Sequence, residues 1–135
     1  MPSCYKIDKN RKLVMSTGYG VVTKEDVLDH QNRILGDPEF DPSFSQLLDF
    51  TNMTRIGFTS ADVHLFASRN VFSASARRAI VVPDEVTYGL ARMFEILRES
   101  KGEMGIRVYR TLEEGLNWVF DPQGSEAPAG TETGE

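Results

Sequence analysis

Apolar and polar positions alternate from Tyr5 to Asp8 and again from Leu13 to Val22, on either side of Lys9, Asn10 and Arg11, which is the pattern of an antiparallel hairpin. Thr23-Lys-Glu-Asp26 then reads as a capped helix start, with Val22 and Val27 placed as a hydrophobic staple around it. Val27, Leu28, Ile34 and Leu35 share one face at 3.6 residues per turn, and Gly36 supplies a stop, so the spacing predicts a helix over 24–35. The same grammar recurs three times. Leu47 to Phe50 forms a short strand followed by a polar loop, and Thr59-Ser-Ala-Asp62 opens a helix over 60–71 with Val63, Phe66, Ala67 and Val71 on one face. Ala79 to Val82 is an unbroken apolar strand of the kind covered on both faces, and Val86, Leu90, Met93, Phe94 and Leu97 mark the buried side of a helix over 84–99. Ile106, Val108 and Tyr109 make a last strand before a helix over 112–119 that opens at Thr111-Leu-Glu-Glu114 and contains Leu116, Trp118 and Val119. A hairpin followed by alternating strands and helices specifies an α/β sandwich with a mixed sheet of four or five strands and about four helices.

From Asp121 to Glu135 no aliphatic side chain is larger than Ala, too little apolar surface to offset the entropy of ordering, so this stretch reads as a disordered acidic tail behind a folded domain of residues 1–120. Charge sharpens that division. The net charge is −5; four acidic residues and no basic one fall in 121–135, so residues 1–120 hold 16 of the 20 acidic groups and all 15 basic ones. Such a balance lacks the cationic excess that phosphate-backbone binding needs, and nucleic acid is disfavoured as a partner. Four residues is the longest apolar run, at 79–82, far short of the ~20 that span a bilayer. A charged N-terminus and a single cysteine, Cys4, make the cytoplasm the expected compartment.

Candidate chemistry is thin. His30 and His64 lack a second His or Cys at ligand spacing, so no metal and no cofactor is expected. Asp37, Glu39 and Asp41 begin like a calcium loop, but its sixth and twelfth positions are Pro42 and Leu48. Gly18-Tyr19-Gly20 lies within a strand pattern and reads as a bulge or a close approach of backbone, not a phosphate cradle. With two histidines and no Gly-x-Ser-x-Gly elbow, a Ser, Cys or Thr nucleophile would need one of them within about 3 Å after folding. Gly89 sits inside a helix at a cost of ~1 kcal/mol relative to Ala, so a close packing or subunit contact is expected there, with Arg92 pairing to a carboxylate at that seam.

Asp49-Phe-Thr-Asn-Met-Thr-Arg-Ile-Gly-Phe-Thr-Ser60 is the most informative stretch: a buried strand, a hydroxyl- and amide-rich loop, and a helix N-terminus suited to an anion. Thr59 is also fully explained as an N-cap, with Asp62 as its partner. This stretch resembles the motif of the STAS domain, the fold of the sporulation anti-sigma-factor antagonist, which reads roughly Asp-Leu-Ser-Gly-Val-Thr-Phe-Ile-Asp-Ser-Ser-Gly. The run from Asp37 to Asp49, Arg78-Ala-Ile-Val-Val82, Tyr88-Gly-Leu-Ala-Arg-Met-Phe94 and Glu114-Gly-Leu-Asn-Trp118 resemble a bacterial STAS-like, or SpoIIAA-like, branch of small proteins over residues 5–120. The resemblance implies that fold and no enzymatic activity. In the antagonist the first Ser after the motif's second Asp accepts phosphate; here Gly57 replaces that Asp and Phe58 that Ser, leaving Thr59 as the nearest hydroxyl and phospho-acceptor candidate.

Three functional classes follow. The first is a non-catalytic module that docks a protein partner through the loop 50–60 and the following helix start, with Asn52, Thr54, Arg55, Thr59 and Ser60 on its rim, joined by Asp84 at the end of the next strand. The second is a carrier or sensor of a small apolar ligand or lipid, in a pocket lined by groups such as Phe66, Val71, Phe72, Tyr88 and Met93. An enzyme is the third. Self-association into a homo-oligomer is compatible with each.

Overall fold

The computed structural model describes residues 3–120; the tail expected at 121–135 lies outside the described residues. Five strands and four helices follow one another as β1 (Ser3–Asp8), β2 (Leu13–Thr23), α1 (Lys24–Leu35), β3 (Ser45–Gly57), α2 (Ser60–Ala67), β4 (Arg78–Val81), α3 (Glu85–Glu99), β5 (Ile106–Tyr109) and α4 (Leu112–Phe120). The sheet order is β1-β2-β3-β4-β5. β1 pairs with β2 antiparallel as a hairpin, and the other three pairings are parallel, so the sheet is mixed.

Alternation along the strands divides the core between two faces. On one face Leu13, Leu47, Ala79 and Val81 pack against Trp118 and Val119 of α4. Gly115 lets that helix come close, since a Cβ there would lie 2.8 Å from Val81 Cγ2 and 2.9 Å from Leu47 Cδ1. The other face carries Val14 with Ile34, Phe44, Val71, Phe72 and Ala76, and next to it Ile80, Val82, Ala91, Ile106 and Val108. Each fully buried large aliphatic side chain, such as Leu13 or Leu47, contributes roughly 1.5–3 kcal/mol.

Capping boxes stand where the sequence places them. Thr23 accepts from Asp26 N–H while Asp26 accepts from Thr23 N–H; Thr59 and Asp62 do the same for α2. Three expectations are corrected. The segment after Phe50 is not a loop: β3 continues to Gly57 alongside β2, through register shifts between Thr17 and Tyr19 and between Gly20 and Val21. Gly20 takes φ +63° at this irregularity, and at Gly18 a Cβ would stand 2.5 Å from the Phe50 ring, so a glycine is required. β-Branched Thr51, Thr54 and Ile56 favour the extended state, and a strand with one solvated face tolerates the polar residues between them. Second, α2 stops at Ala67, where Ser68 Oγ donates to Leu65 O at 2.6 Å; Val71 reaches the core from the following loop. Third, the buried face of α3 is Thr87, Ala91, Glu95 and Arg98, whereas Val86 is 69% exposed. Gly89 on that helix is exposed with nothing within 4 Å of a would-be Cβ, so no neighbouring helix packs against it, and the carboxylate that Arg92 meets is that of Glu95 on its own helix, at 2.7 Å.

Candidate functional site

The sequence-predicted rim divides into separate parts. Asn52, Thr54 and Arg55 are exposed on β3, and Ser60 is exposed at the start of α2. Thr59 caps α2, its Oγ1 accepting from Asp62 N–H at 3.2 Å. Asp84 caps α3 by accepting from Thr87 N–H at 2.9 Å, and that bond holds its carboxyl below the usual range. The parallel ladder between β3 and β4 ends at Asp49 and Val81, so residues 50–57 overhang the carboxyl edge of the sheet paired only with β2.

A second constellation lies inside the molecule. Val14, Gln46, Arg78 and Ile106 occupy one row across β2, β3, β4 and β5, which places two polar side chains beside each other on the face covered by the first three helices. Arg78 Nε donates to Gln46 Oε1 at 3.1 Å, and its Nη1 donates to Glu103 at 3.0 and 3.2 Å. Arg98 Nε donates to the same carboxylate at 2.8 Å, while its Nη1 donates to Ala67 O and Asn70 Oδ1. The Arg78 guanidinium also stands 4.4 Å over the Phe72 ring, and burial lowers its pKa against the attraction of Glu103.

The directions of these bonds follow from Arg78, because a guanidinium only donates. Gln46 must present Oε1 to Arg78, so its Nε2 donates to Ser16 Oγ, at 3.0 Å. Ser16 is 1% exposed, and its hydroxyl can donate to His30 Nε2, 2.8 Å away. In that arrangement the imidazole carries its proton on Nδ1, a ring nitrogen with no hydrogen-bond partner although His30 is only 8% exposed. Burial, assisted by Arg33 and opposed by Asp29, pushes the His30 pKa down to about 4, so the ring is neutral near pH 7.

His30, Gln46 and Arg78 line a cavity of about 100 Å³ between the sheet and the three helices of this face. Its remaining wall is largely apolar, from side chains such as Phe50, Phe58, Phe66, Phe72, Ala91 and Phe94. Of the apolar residues that the sequence suggests for a ligand pocket, Phe66, Val71 and Phe72 are in the wall, whereas Tyr88 and Met93 are not. Chain pattern offers faint signals for Gln46 and Arg78, each the polar residue just before an apolar strand run; Glu103, in a turn after α3, has none.

The contact between Ser16 and His30 meets the distance that nucleophilic chemistry requires, but not its remaining conditions. His30 Nδ1, where a triad places its orienting carboxylate, has no partner; a pKa near 4 makes a weak base; and Ser16 is not part of the cavity wall. Among the described residues no three His, Cys, Asp or Glu side chains group to hold a metal ion, and no helix is long and apolar enough to cross a membrane.

No family model matches the chain, and no curated protein does. Among solved structures it is similar to an uncharacterised protein of the DUF3478 family with a SpoIIAA-like fold from Shewanella loihica PV-4, at a TM-score of 0.54 and 15% identity, over 87% of this chain and 93% of that one. The chain thus has the SpoIIAA-like α/β fold, as the resemblance implies.

Proposed function

We propose that this protein is a non-catalytic binding domain whose ligand is a small, mainly apolar molecule held in the cavity between the sheet and α1, α2 and α3. The observation that carries this reading is a chamber walled mostly by apolar side chains and lined by a few polar groups, one of them, His30, with a buried ring nitrogen that has no hydrogen-bond partner. Its size restricts the ligand: an engineered cavity of about 150 Å³ binds benzene, so 100 Å³ suits a compact molecule and is too small for a diacyl lipid. Native mass spectrometry of the purified full chain, together with amide NMR during titration with xenon, tests the reading. Co-purified small-molecule mass, or shifts confined to residues around His30, Phe50 and Ala91, supports it; no bound mass and no shifts there overturn it.

Protein docking is the second reading, favoured by the overhang of β3. Asn52, Thr54 and Arg55 are exposed on a ribbon extending past the end of β4, continuous with Thr59 and Ser60 at the start of α2. An exposed charge contributes little to stability but alters association, so Arg55→Glu weakens partner capture in this reading while the melting temperature stays unchanged. Unaltered capture by that variant removes the ribbon from the interface. Phosphorylation of Thr59 would exchange a cap oxygen for a dianion at a helix N-terminus, and phosphopeptide mapping of the protein from its source cells reads it directly.

A further inference from the structure

We propose that the cavity ligand carries a carboxylate, held by the Nδ1–H of His30 and the positive field of the Arg78, Glu103 and Arg98 cluster, with its apolar part among the phenylalanines of the wall. This rests on the cavity reading above and specifies its ligand. The first support is the proton inventory. His30 Nδ1 is a buried ring nitrogen without a partner, and the chain of bonds from Arg78 through Gln46 and Ser16 allows Ser16 to donate to Nε2 and the ring to carry its proton on Nδ1; a buried polar atom left unsatisfied is costly unless something completes it. A ligand with an acceptor at one end does so; a hydrocarbon does not.

Charge is the second support. Glu103 is one carboxylate bridging two buried guanidiniums, at 3.0 and 2.8 Å, so the cluster holds an excess of one positive charge away from water. Arg78, which faces the cavity, is the member exposed to a ligand. Ring contacts with Phe72 and Phe94 and the neutral acceptor Gln46 offset part of its desolvation, but no second carboxylate does. The one acidic residue in the cavity wall, Asp26, already accepts from Thr23 N–H and Oγ1–H, both at 2.8 Å, in the cap of α1. By the benzene comparison (about 150 Å³), a chamber of 100 Å³ sets the buried part of the ligand at roughly five non-hydrogen atoms. Short or branched-chain monocarboxylates fit that description.

Propionate and propan-1-ol share one carbon skeleton and differ in the head group, so they form the test. Titrated separately into the full chain and followed by amide NMR, propionate is expected to bind at least ten-fold more tightly, with the largest shifts around His30 and Arg78. In His30→Phe, which keeps a ring but removes the donor, the preference for the acid over the alcohol is expected to fall at least five-fold. If that variant does not fold, the wild-type comparison decides alone. Equal or tighter binding of the alcohol overturns the carboxylate while leaving the apolar cavity in place. If neither molecule binds, and xenon is equally silent, the cavity reading fails with it.

Discussion

Gly89 and Gly115 are both helical glycines, and their surroundings give them opposite roles. A side chain at Gly115 would meet Val81 and Leu47 at under 3 Å, so the glycine permits α4 to lie against the sheet. At Gly89 there is open space, and only the entropic cost of a helical glycine remains. Gly89→Ala is therefore expected to raise stability by about 0.5–1 kcal/mol in urea denaturation with unchanged sedimentation, whereas Gly115→Leu lowers it by roughly 1–3 kcal/mol through overpacking. A loss of stability or an altered assembly in Gly89→Ala would restore to that residue a contact with a second copy. His30 supplies a residue-scale prediction in pH. Its folded pKa of about 4 lies below the ordinary value of 6.5, so the unfolded chain binds the proton first as pH falls. Stability is thus complete above about pH 6.5, declines between there and about pH 4, and levels off below, for a loss on the order of 3 kcal/mol. Carboxyls held at low pKa, such as Asp37 and Asp84, add losses of the same sign at lower pH. The measurement is therefore the stability of wild type minus that of His30→Gln across pH 7 to 4, which is expected to shrink by that amount. A constant difference would mean that His30 titrates normally.

Elements were legible in the chain where local rules act alone. Thr23 with Asp26 and Thr59 with Asp62 announce their helices through reciprocal capping, and Ala79 to Val82 announces a strand covered on both faces, because each signal is contained in a few adjacent residues. The continuation of β3 to Gly57 was hidden because its polar residues gain an extended conformation from β2, a partner remote in sequence. α3 misled for a related reason. Its apolar stripe suggested that Val86 and Leu90 define the buried side, yet the ion-paired Glu95 and Arg98 are deeply buried, Glu95 with Arg92 of its own helix and Arg98 with Glu103, Ala67 and Asn70 from outside it. Of the candidate site, the sequence supplied several wall residues but not the polar row, since Gln46, Arg78 and Glu103 meet only after β3, β4 and the turn following α3 are assembled. That assembly makes Glu103 the sensitive point among these elements: Glu103→Gln preserves shape but leaves two buried guanidiniums facing each other. A loss of about 3–5 kcal/mol is expected from urea unfolding, and a loss below about 1 kcal/mol would mean that the guanidiniums find water or another anion.

At the scale of the whole molecule, the two faces of the sheet are finished differently. α4 closes one face tightly through Gly115 and Trp118, whereas three helices roof the other and leave a chamber where β2, β3 and β4 align. A void of this size forfeits packing contacts on all its walls, and a domain of marginal stability retains one at a cost. Ala91 is the place to measure that cost: it lies on the buried face of α3, lines the chamber, and carries only a methyl group toward it. Leu is as compatible with a helix interior and adds three carbons to the space. Ala91→Leu is accordingly expected to stabilise the free protein by about 0.5–2 kcal/mol, as cavity-filling substitutions commonly do. The same change is expected to abolish the NMR shifts caused by xenon, because the volume that would receive the probe is gone. The two readouts must move together if the chamber is a binding site kept open against the preference of the fold to close it. Higher stability with xenon binding intact would place the ligand elsewhere. Lower stability would show that the side chains around Ala91 are already in contact and that no room stands open beneath α3.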